Sequence, residues 1–417
     1  MDHREVIEVA QRLCAPGKGI LAADESTGTI GKRLAHVGIA NTETMRRDYR
    51  ELFLTAPNLS ASISGAILYH ETLGQSASDG IPFVDHLTRR GVLPGVKVDQ
   101  GLAPLQGDGA QPGETHTLGL ADVEAFGATC LAYRQQGARF AKWRAALPVT
   151  QDGSCPSPTC RRVNAEELAR YARHAQAAGL VPIVEPELLI KGDYSAARAE
   201  EAATQVVQET VQALWAQGVV LEGCLLKPQM VIAGLGWTNT HTHMDTGGGG
   251  GDRKNADQPQ DQDPSREVTR GEEKEIEEEI EEKENEVATR TLRMLRRSVP
   301  AAIPGVMFLS GGQSEAEATT NLDALNVVKN QRGGAPWALS FSFGRALQAT
   351  VLRMWSATGG TPSAAQKAEI QDMVGRVARA NGLATVGRWA EAGEEHPAQN
   401  TGRLVETFRG RTSSSPS

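Results

Sequence analysis

Five consecutive segments decide the fold. They are RFAKWR (Arg139–Arg144), NAEELARYARHAQAA (Asn164–Ala178), VPIVEPE (Val181–Glu187), ARAEEAATQVVQETVQALWAQ (Ala197–Gln217) and VLEGCLLK (Val220–Lys227). They read as strand, helix, strand, helix, strand. The strand candidates are short and apolar-rich, and each intervening stretch is long enough for a crossover helix. This alternation predicts parallel pairing. Working outward, Gly19–Ser26, Ile63–His70 and Leu93–Asp99 precede this block as further strand candidates. Val306–Gly311 and Trp337–Phe343 follow it, with a helical pattern at Ser314–Leu325 between them. Eight such units predict an α/β protein built as a closed (β/α)8 TIM barrel. A doubly wound open sheet is the alternative that the same pattern admits.

The chain has 417 residues, 40% of them hydrophobic and 23% charged, an ordinary composition for a globular protein able to bury a sizeable core. The expectation is one barrel domain over 1–417, carrying a low-complexity insertion at 238–286 after strand six and a flexible tail at 402–417. The insertion contains five glycines in a row, Gly247–Gly251. From Asp245 to Glu267 it offers one apolar side chain besides proline, Ala256. Such a segment buries too little surface to offset its ordering entropy, so it is expected to be disordered. Residues Glu272–Glu286 then hold ten glutamates and two lysines, a net of −8 that equals the charge of the whole chain. The acidity therefore belongs to one segment and the rest is neutral. That balance argues against a general affinity for nucleic acid or anionic membrane. The acidic run is expected to be a solvated face, with binding of an unidentified protein as the sharper alternative.

Five cysteines without a C-x-x-C motif read as free thiols of a reducing compartment. Cys155 and Cys160 are spaced so that they could pair or share a metal, but no neighbours complete a ligand set. The amphipathic start, MDHREVIEVAQRLC, carries Asp2, Glu5 and Glu8. Those acids suit a folded helix better than a targeting peptide, and the expected location is cytoplasmic.

Chemistry concentrates at the C-terminal ends of the strands, where barrel enzymes build their sites. Strand one ends in Asp24-Glu25-Ser26. Strand three carries Lys97 and Asp99, strand four Lys142 and Arg144, and strand five Glu185 and Glu187. Strand six ends at Lys227, strand seven at Ser310-Gly311-Gly312, and strand eight at Ser342-Phe343-Gly344-Arg345. Charges in apolar strands are costly to bury without partners. A purely structural ion-pair network is the plain alternative, but such networks stabilise weakly. A lysine near other cations in a dry site becomes a nucleophilic amine, and its attack on a ketone gives an iminium that accepts electrons. Glycine turns and arginine suit phosphate. The residues alone therefore point to a Schiff-base enzyme acting on a phosphorylated carbonyl compound.

Seven motifs in order resemble the class I fructose-bisphosphate aldolases: APGKGILAADESTGTIGKRL (Ala15–Leu34), GVKVD (Gly95–Asp99), FAKWR (Phe140–Arg144), VPIVEPE (Val181–Glu187), LEGCLLKP (Leu221–Pro228), FLSGGQSE (Phe308–Glu315) and FSFGRALQ (Phe341–Gln348). The resemblance spans nearly the whole chain apart from 238–286 and the tail. It implies a metal-free, cofactor-free barrel, usually a homotetramer. The implied reaction is reversible cleavage of fructose 1,6-bisphosphate into dihydroxyacetone phosphate and glyceraldehyde 3-phosphate. Carried over residue by residue, Lys227 matches the Schiff-base lysine and Glu185 the main proton acceptor and donor, assisted by Glu187. Asp24 matches the aspartate of carbinolamine chemistry and carbon–carbon cleavage. Lys142 matches the lysine that lowers the nucleophile's pKa and orients substrate hydroxyls. Ser310, Gly311, Gly312, Ser342, Gly344 and Arg345 match one phosphate site. Ser26, Arg33, Lys97 and Arg144 match the residues holding the other end.

Two departures stand out. The family ends in a tyrosine that helps exchange the enamine proton, whereas this sequence ends SSSPS and its nearest aromatic is Phe408. That difference predicts a working but slower enzyme. In addition, about 40 residues are extra in the loop after strand six, judged against ordinary connection lengths. His241, His243 and Asp245 at its start make too few ligands for a metal site. A scaffold that has lost catalysis, a transaldolase-like enzyme and a zinc-dependent aldolase are the competing readings. The intact lysine–carboxylate set argues against the first, the two phosphate ends against the second, and nine scattered histidines against the third.

Overall fold

The computed structural model describes residues 3–238 and 285–398. Eight parallel strands close on themselves. In chain order they are β1 (Gly19–Ala23), β2 (Ile63–Leu68), β3 (Leu93–Lys97), β4 (Phe140–Leu147), β5 (Val181–Leu188), β6 (Leu225–Leu226), β7 (Gly305–Phe308) and β8 (Ala338–Phe343). Each pairs with its sequence neighbours, and β1 pairs with β8 to close the ring. This is the TIM barrel, not the open sheet. Around it run α1 (Arg4–Leu13), α2 (Thr27–His36), α3 (Glu43–Leu54), α4 (His70–Leu73), α5 (Phe83–Arg89), α6 (Val123–Gln135), α7 (Pro158–Ala177), α8 (Ala196–Ala216), α9 (Glu286–Ser298), α10 (Glu315–Gln331), α11 (Arg345–Ser356) and α12 (Ala364–Ala384).

The barrel interior is packed. Ile20, Leu93, Phe140, Ile183, Leu225 and Met307 project inward from alternating strand positions. Helix α1 belongs to the same cluster through Val6, Val9, Ala10 and Leu13. Two rings take up the space that side chains on neighbouring strands would need. A Cβ on Gly95 would lie 2.2 Å from the Phe140 ring, and one on Gly19 2.5 Å from that of Phe341. On the outer face Trp143 stacks against Tyr171 of α7, with centroids 5.5 Å apart.

Several strands stop earlier than the apolar runs suggest. The first ends at Ala23 because Ser26 is committed to capping α2, accepting from the Thr29 N–H. The sixth was expected over Val220–Lys227, yet Leu221–Gly223 forms a 3-10 turn and only Leu225–Leu226 pairs as strand. Lys227 still donates its backbone N–H to the Val184 carbonyl at 2.8 Å, and Pro228 then lacks the N–H to extend the ladder. A two-stranded hairpin, Leu102–Pro104 with Thr115–Thr117, falls between β3 and α6 and was not anticipated. All five cysteines are free, so Cys155 and Cys160 are unpaired. The expectations for most of the 238–286 insertion, its histidines and the 402–417 tail lie outside the described residues. No helix among the described residues is long and apolar enough to cross a membrane.

Candidate active site

A cleft of about 680 Å³ opens at the C-terminal end of the barrel. Fourteen of the fifteen site residues read from the sequence line it; the exception is Gly312. Gly312 instead packs against Ile190, where a Cβ would lie 3.3 Å from the side chain, and its φ of +82° suits glycine.

At the floor, four buried charges form one chain. Asp24 extends from the end of β1, Lys142 from β4, Glu185 from β5 and Lys227 from the end of β6. Lys142 Nζ lies 2.7 Å from Asp24 Oδ2 and 3.0 Å from Glu185 Oε2. Lys227 Nζ lies 2.8 Å from Glu185 Oε1. Glu185 thus bridges both ammonium groups. All four are at most 9% exposed. Burial works to raise the Asp24 pKa, but Lys142 and Lys227 outweigh it and hold it at about 2. Glu185 is lowered in the same way, its burial outweighed by the same two cations. For Lys142 burial opposes the charge, while Asp24, Glu185 and Asp99 hold the ammonium well above the ordinary lysine range. Lys142 is therefore a fixed cation.

The two ends of the cleft are built differently. On one, the loop Ser310–Gly311 leads into α10 and Gly344 caps α11, whose first residue is Arg345. Gly311 adopts φ +52°, with a Cβ site 3.3 Å from Gln229 Cβ. The Ser342 hydroxyl is buried without a hydrogen-bond partner, an open donor in the wall of the cleft. Two helix N-termini meeting at a glycine turn form an anion site of the kind barrels place after strands seven and eight. On the other end, Lys97 pairs with Asp99 at 2.5 Å and Arg144 pairs with Glu187. Arg33 pairs with Glu25, and Arg50 fixes the Glu25 carbonyl at 2.6 Å. Burial lowers the Arg345 pKa, and the Arg33 guanidinium facing it from α2 lowers it further.

The sequence reading placed Glu25 at this rim without a role and missed Thr29, Lys32 and His36 as lining residues. The signal was present: Thr29, Lys32, Arg33 and His36 fall at i, i+3, i+4 and i+7, one face of a helix. Counting them, seven lysines and arginines face four carboxylates in this cleft, in a chain whose net charge is −8. The excess of cations suits a substrate with several negative charges. Among the described residues no group of three or more histidine, cysteine, aspartate or glutamate side chains could hold a metal ion.

Comparison with known proteins agrees with this arrangement. The family model for "Fructose-bisphosphate aldolase class-I" matches residues 5–248 and 266–408. The chain belongs to the class I fructose-bisphosphate aldolases. It is 45% identical over 388 residues to the "Fructose-bisphosphate aldolase, cytoplasmic isozyme" of Cicer arietinum, covering 93% of this chain and 92% of that one. It is 41% identical over 389 residues to the "Probable fructose-bisphosphate aldolase class 1" of Xanthomonas campestris pv. campestris, covering 93% and 99%. A solved structure of the Plasmodium falciparum aldolase, in complex with TRAP and a small-molecule inhibitor, superposes with a TM-score of 0.77 at 38% identity, covering 93% of this chain and 95% of that one. As a class I aldolase, the protein is a lyase that cleaves fructose 1,6-bisphosphate reversibly into dihydroxyacetone phosphate and glyceraldehyde 3-phosphate through a lysine Schiff base.

Proposed function

We propose that Lys227 is the Schiff-base lysine of this aldolase and that Glu185, Asp24, Lys142 and Glu187 complete its catalytic set. The observation that carries this reading is the double ion pair of Glu185 with Lys227 and Lys142. Glu185 takes a proton from the Lys227 ammonium and leaves a free amine. The amine attacks C2 of the open-chain sugar. Loss of water from the carbinolamine gives the iminium. Glu187 or Asp24 accepts the proton of the C4 hydroxyl, the C3–C4 bond breaks, and its electron pair moves onto the iminium nitrogen. Glyceraldehyde 3-phosphate leaves. Glu185 returns a proton to C3 of the enamine, and hydrolysis releases dihydroxyacetone phosphate and restores the amine. Lys142, charged throughout, holds Asp24 and Glu185 in place and faces the substrate hydroxyls.

The C1 phosphate sits at Ser310, Gly311, Gly312, Ser342, Gly344 and Arg345, with Gly312 contributing through its backbone. Ser26, Arg33, Lys97 and Arg144 hold the C6 end. Anchoring both ends turns the attack into an oriented, effectively intramolecular step. The protein acts as a metal-independent homotetramer in the cytoplasm. The cytoplasmic location is supported by the Cicer arietinum relative, which carries that location in its name. The tetramer rests on the family resemblance.

Borohydride reduction in the presence of dihydroxyacetone phosphate, followed by peptide mass spectrometry, tests the assignment. The adduct is expected on Lys227, and Lys227→Met is expected to abolish both trapping and cleavage. An adduct on another lysine, or turnover by the variant, would sink it.

A further inference from the structure

Behind the Ser310–Gly344 end of the cleft lies a buried carboxylate that the reaction does not use. Glu315 is the first residue of α10 and is 3% exposed. Its Oε2 accepts from both the backbone N–H and the hydroxyl of Thr350, in the second turn of α11. Its Oε1 is buried without a hydrogen-bond partner. One side chain thereby ties the start of α10 to α11. The opposite flank of α11 is tied to β1 and α3: Gln348 Nε2 donates to the Ala22 carbonyl of β1 at 2.6 Å, and Gln348 Oε1 accepts from the Tyr49 hydroxyl of α3 at 3.1 Å.

An acid here is not the stable choice for packing. Burial pushes its pKa up to about 7, and the two Thr350 hydrogen bonds, with Arg353 on α11 behind them, offset that only in part. An apolar residue of similar volume would avoid the cost. What the acid supplies is geometry. The turn before α10 carries Ser310 and Gly311, and the turn opening α11 carries Gly344 and Arg345. A phosphate held between two turns needs their separation fixed to about 0.5 Å.

We propose that Glu315 is a positioning residue for the phosphate of dihydroxyacetone phosphate, setting the spacing of the two turns by locking α10 to α11. The proposal rests on the assignment of those turns as the C1 phosphate site. Lys227 follows directly on β6 and Glu185 stands on β5, so loosening the lock weakens phosphate binding and leaves the amine chemistry intact.

The test compares borohydride trapping on Lys227 with dihydroxyacetone phosphate and with unphosphorylated dihydroxyacetone. Glu315→Ala is expected to raise the half-saturating concentration of the phosphorylated ketone about tenfold, the loss of one to two hydrogen bonds. The requirement for dihydroxyacetone should change less than twofold, and saturating yields should be equal. Glu315→Gln keeps a carbonyl oxygen that accepts from both Thr350 donors and is expected to stay within twofold of the parent. Equal changes on both ketones, or none on either, would overturn the proposal. If Glu315→Ala does not fold, Thr350→Val carries the same comparison with a two- to threefold rise for the phosphorylated ketone alone. No rise overturns the proposal. Arg345→Ala is the control: an unchanged requirement for dihydroxyacetone phosphate would show that the phosphate site itself, rather than the lock, is misassigned.

Discussion

Asp24 shows how a single residue in this cleft joins stability to chemistry. Its carboxylate is held at about 2 against an ordinary 3.8, because nearby cations outweigh its burial. A depressed carboxylate contributes stability that is present above its unfolded pKa and is lost as pH falls through its folded pKa. The window therefore runs from about pH 4 down to pH 2, and the shift is worth about 2 kcal/mol. Asp24→Asn removes that term. In urea unfolding, the stability gap between parent and variant is expected to shrink by about that amount between pH 5 and pH 2.5. A gap independent of pH would mean that Asp24 is not depressed. The charged positions on strands were legible from the chain because apolar strands make a lysine or glutamate conspicuous, and alternation says which ones face inward. Ion-pair partners were not legible. Nothing in the local pattern says that Lys142 is shared between Asp24 and Glu185, because the three residues stand on β4, β1 and β5 and meet only once the strands are assembled. Arg33 meets Glu25 across the turn from β1 into α2, eight residues away, a pairing that the helical period of α2 alone does not reveal.

At the scale of elements, glycine separates two kinds of constraint. Gly95 lies on β3 where the Phe140 ring fills the barrel, 2.2 Å from the nearest Cβ position. Gly95→Ala forces a fully buried ring to move and is expected to cost about 2–3 kcal/mol. Gly375 lies within α12 with nothing inside 4 Å of its Cβ position. Gly375→Ala is expected to stabilise by about 1 kcal/mol. Denaturant midpoints of the two variants should move in opposite directions. A loss in both would place an unseen contact on α12. Strand and helix identities were readable because period and length separate them, but their ends were not. Helix α10 continues to Gln331, beyond the expected Leu325, since its buried face goes on through Asn326 and Val328. The Leu102–Thr117 hairpin was unreadable. Each arm has three residues, one arm contains a proline, and Leu102 is exposed, so no alternation marks the arms, and the turn dipeptides Asp108-Gly109 and Pro112-Gly113 sit in a ten-residue connection rather than a tight two-residue turn.

For the whole molecule, the question is what the extra chain after β6 does to the enzyme. The Val231 N–H donates to Thr291 Oγ1 at 2.9 Å, so the chain before the insertion is bonded directly to α9, which follows it. The barrel is thus closed on its own side of the insertion. The family model leaves residues 249–265 unmatched, and every residue assigned a role in cleavage lies outside them. Loop-closure entropy changes only slowly with loop length, so shortening such a connection should alter stability by less than about 1 kcal/mol. Deleting 249–265 is therefore expected to leave kcat/KM for fructose 1,6-bisphosphate within twofold. Light scattering should give four times the monomer mass for both proteins. A fall of tenfold or more in kcat/KM with the tetramer intact would show that the loop takes part in the site. A change of mass with unchanged activity per subunit would place it at the contact between subunits. The acidic run that follows, Glu272–Glu286, supplies the whole net charge of −8, so the rest of the chain is neutral around a cleft rich in cations. Adding salt screens attraction between that cleft and a bisphosphate. The rise in KM with ionic strength is accordingly expected to be the same with and without 249–265, because the cleft sets it.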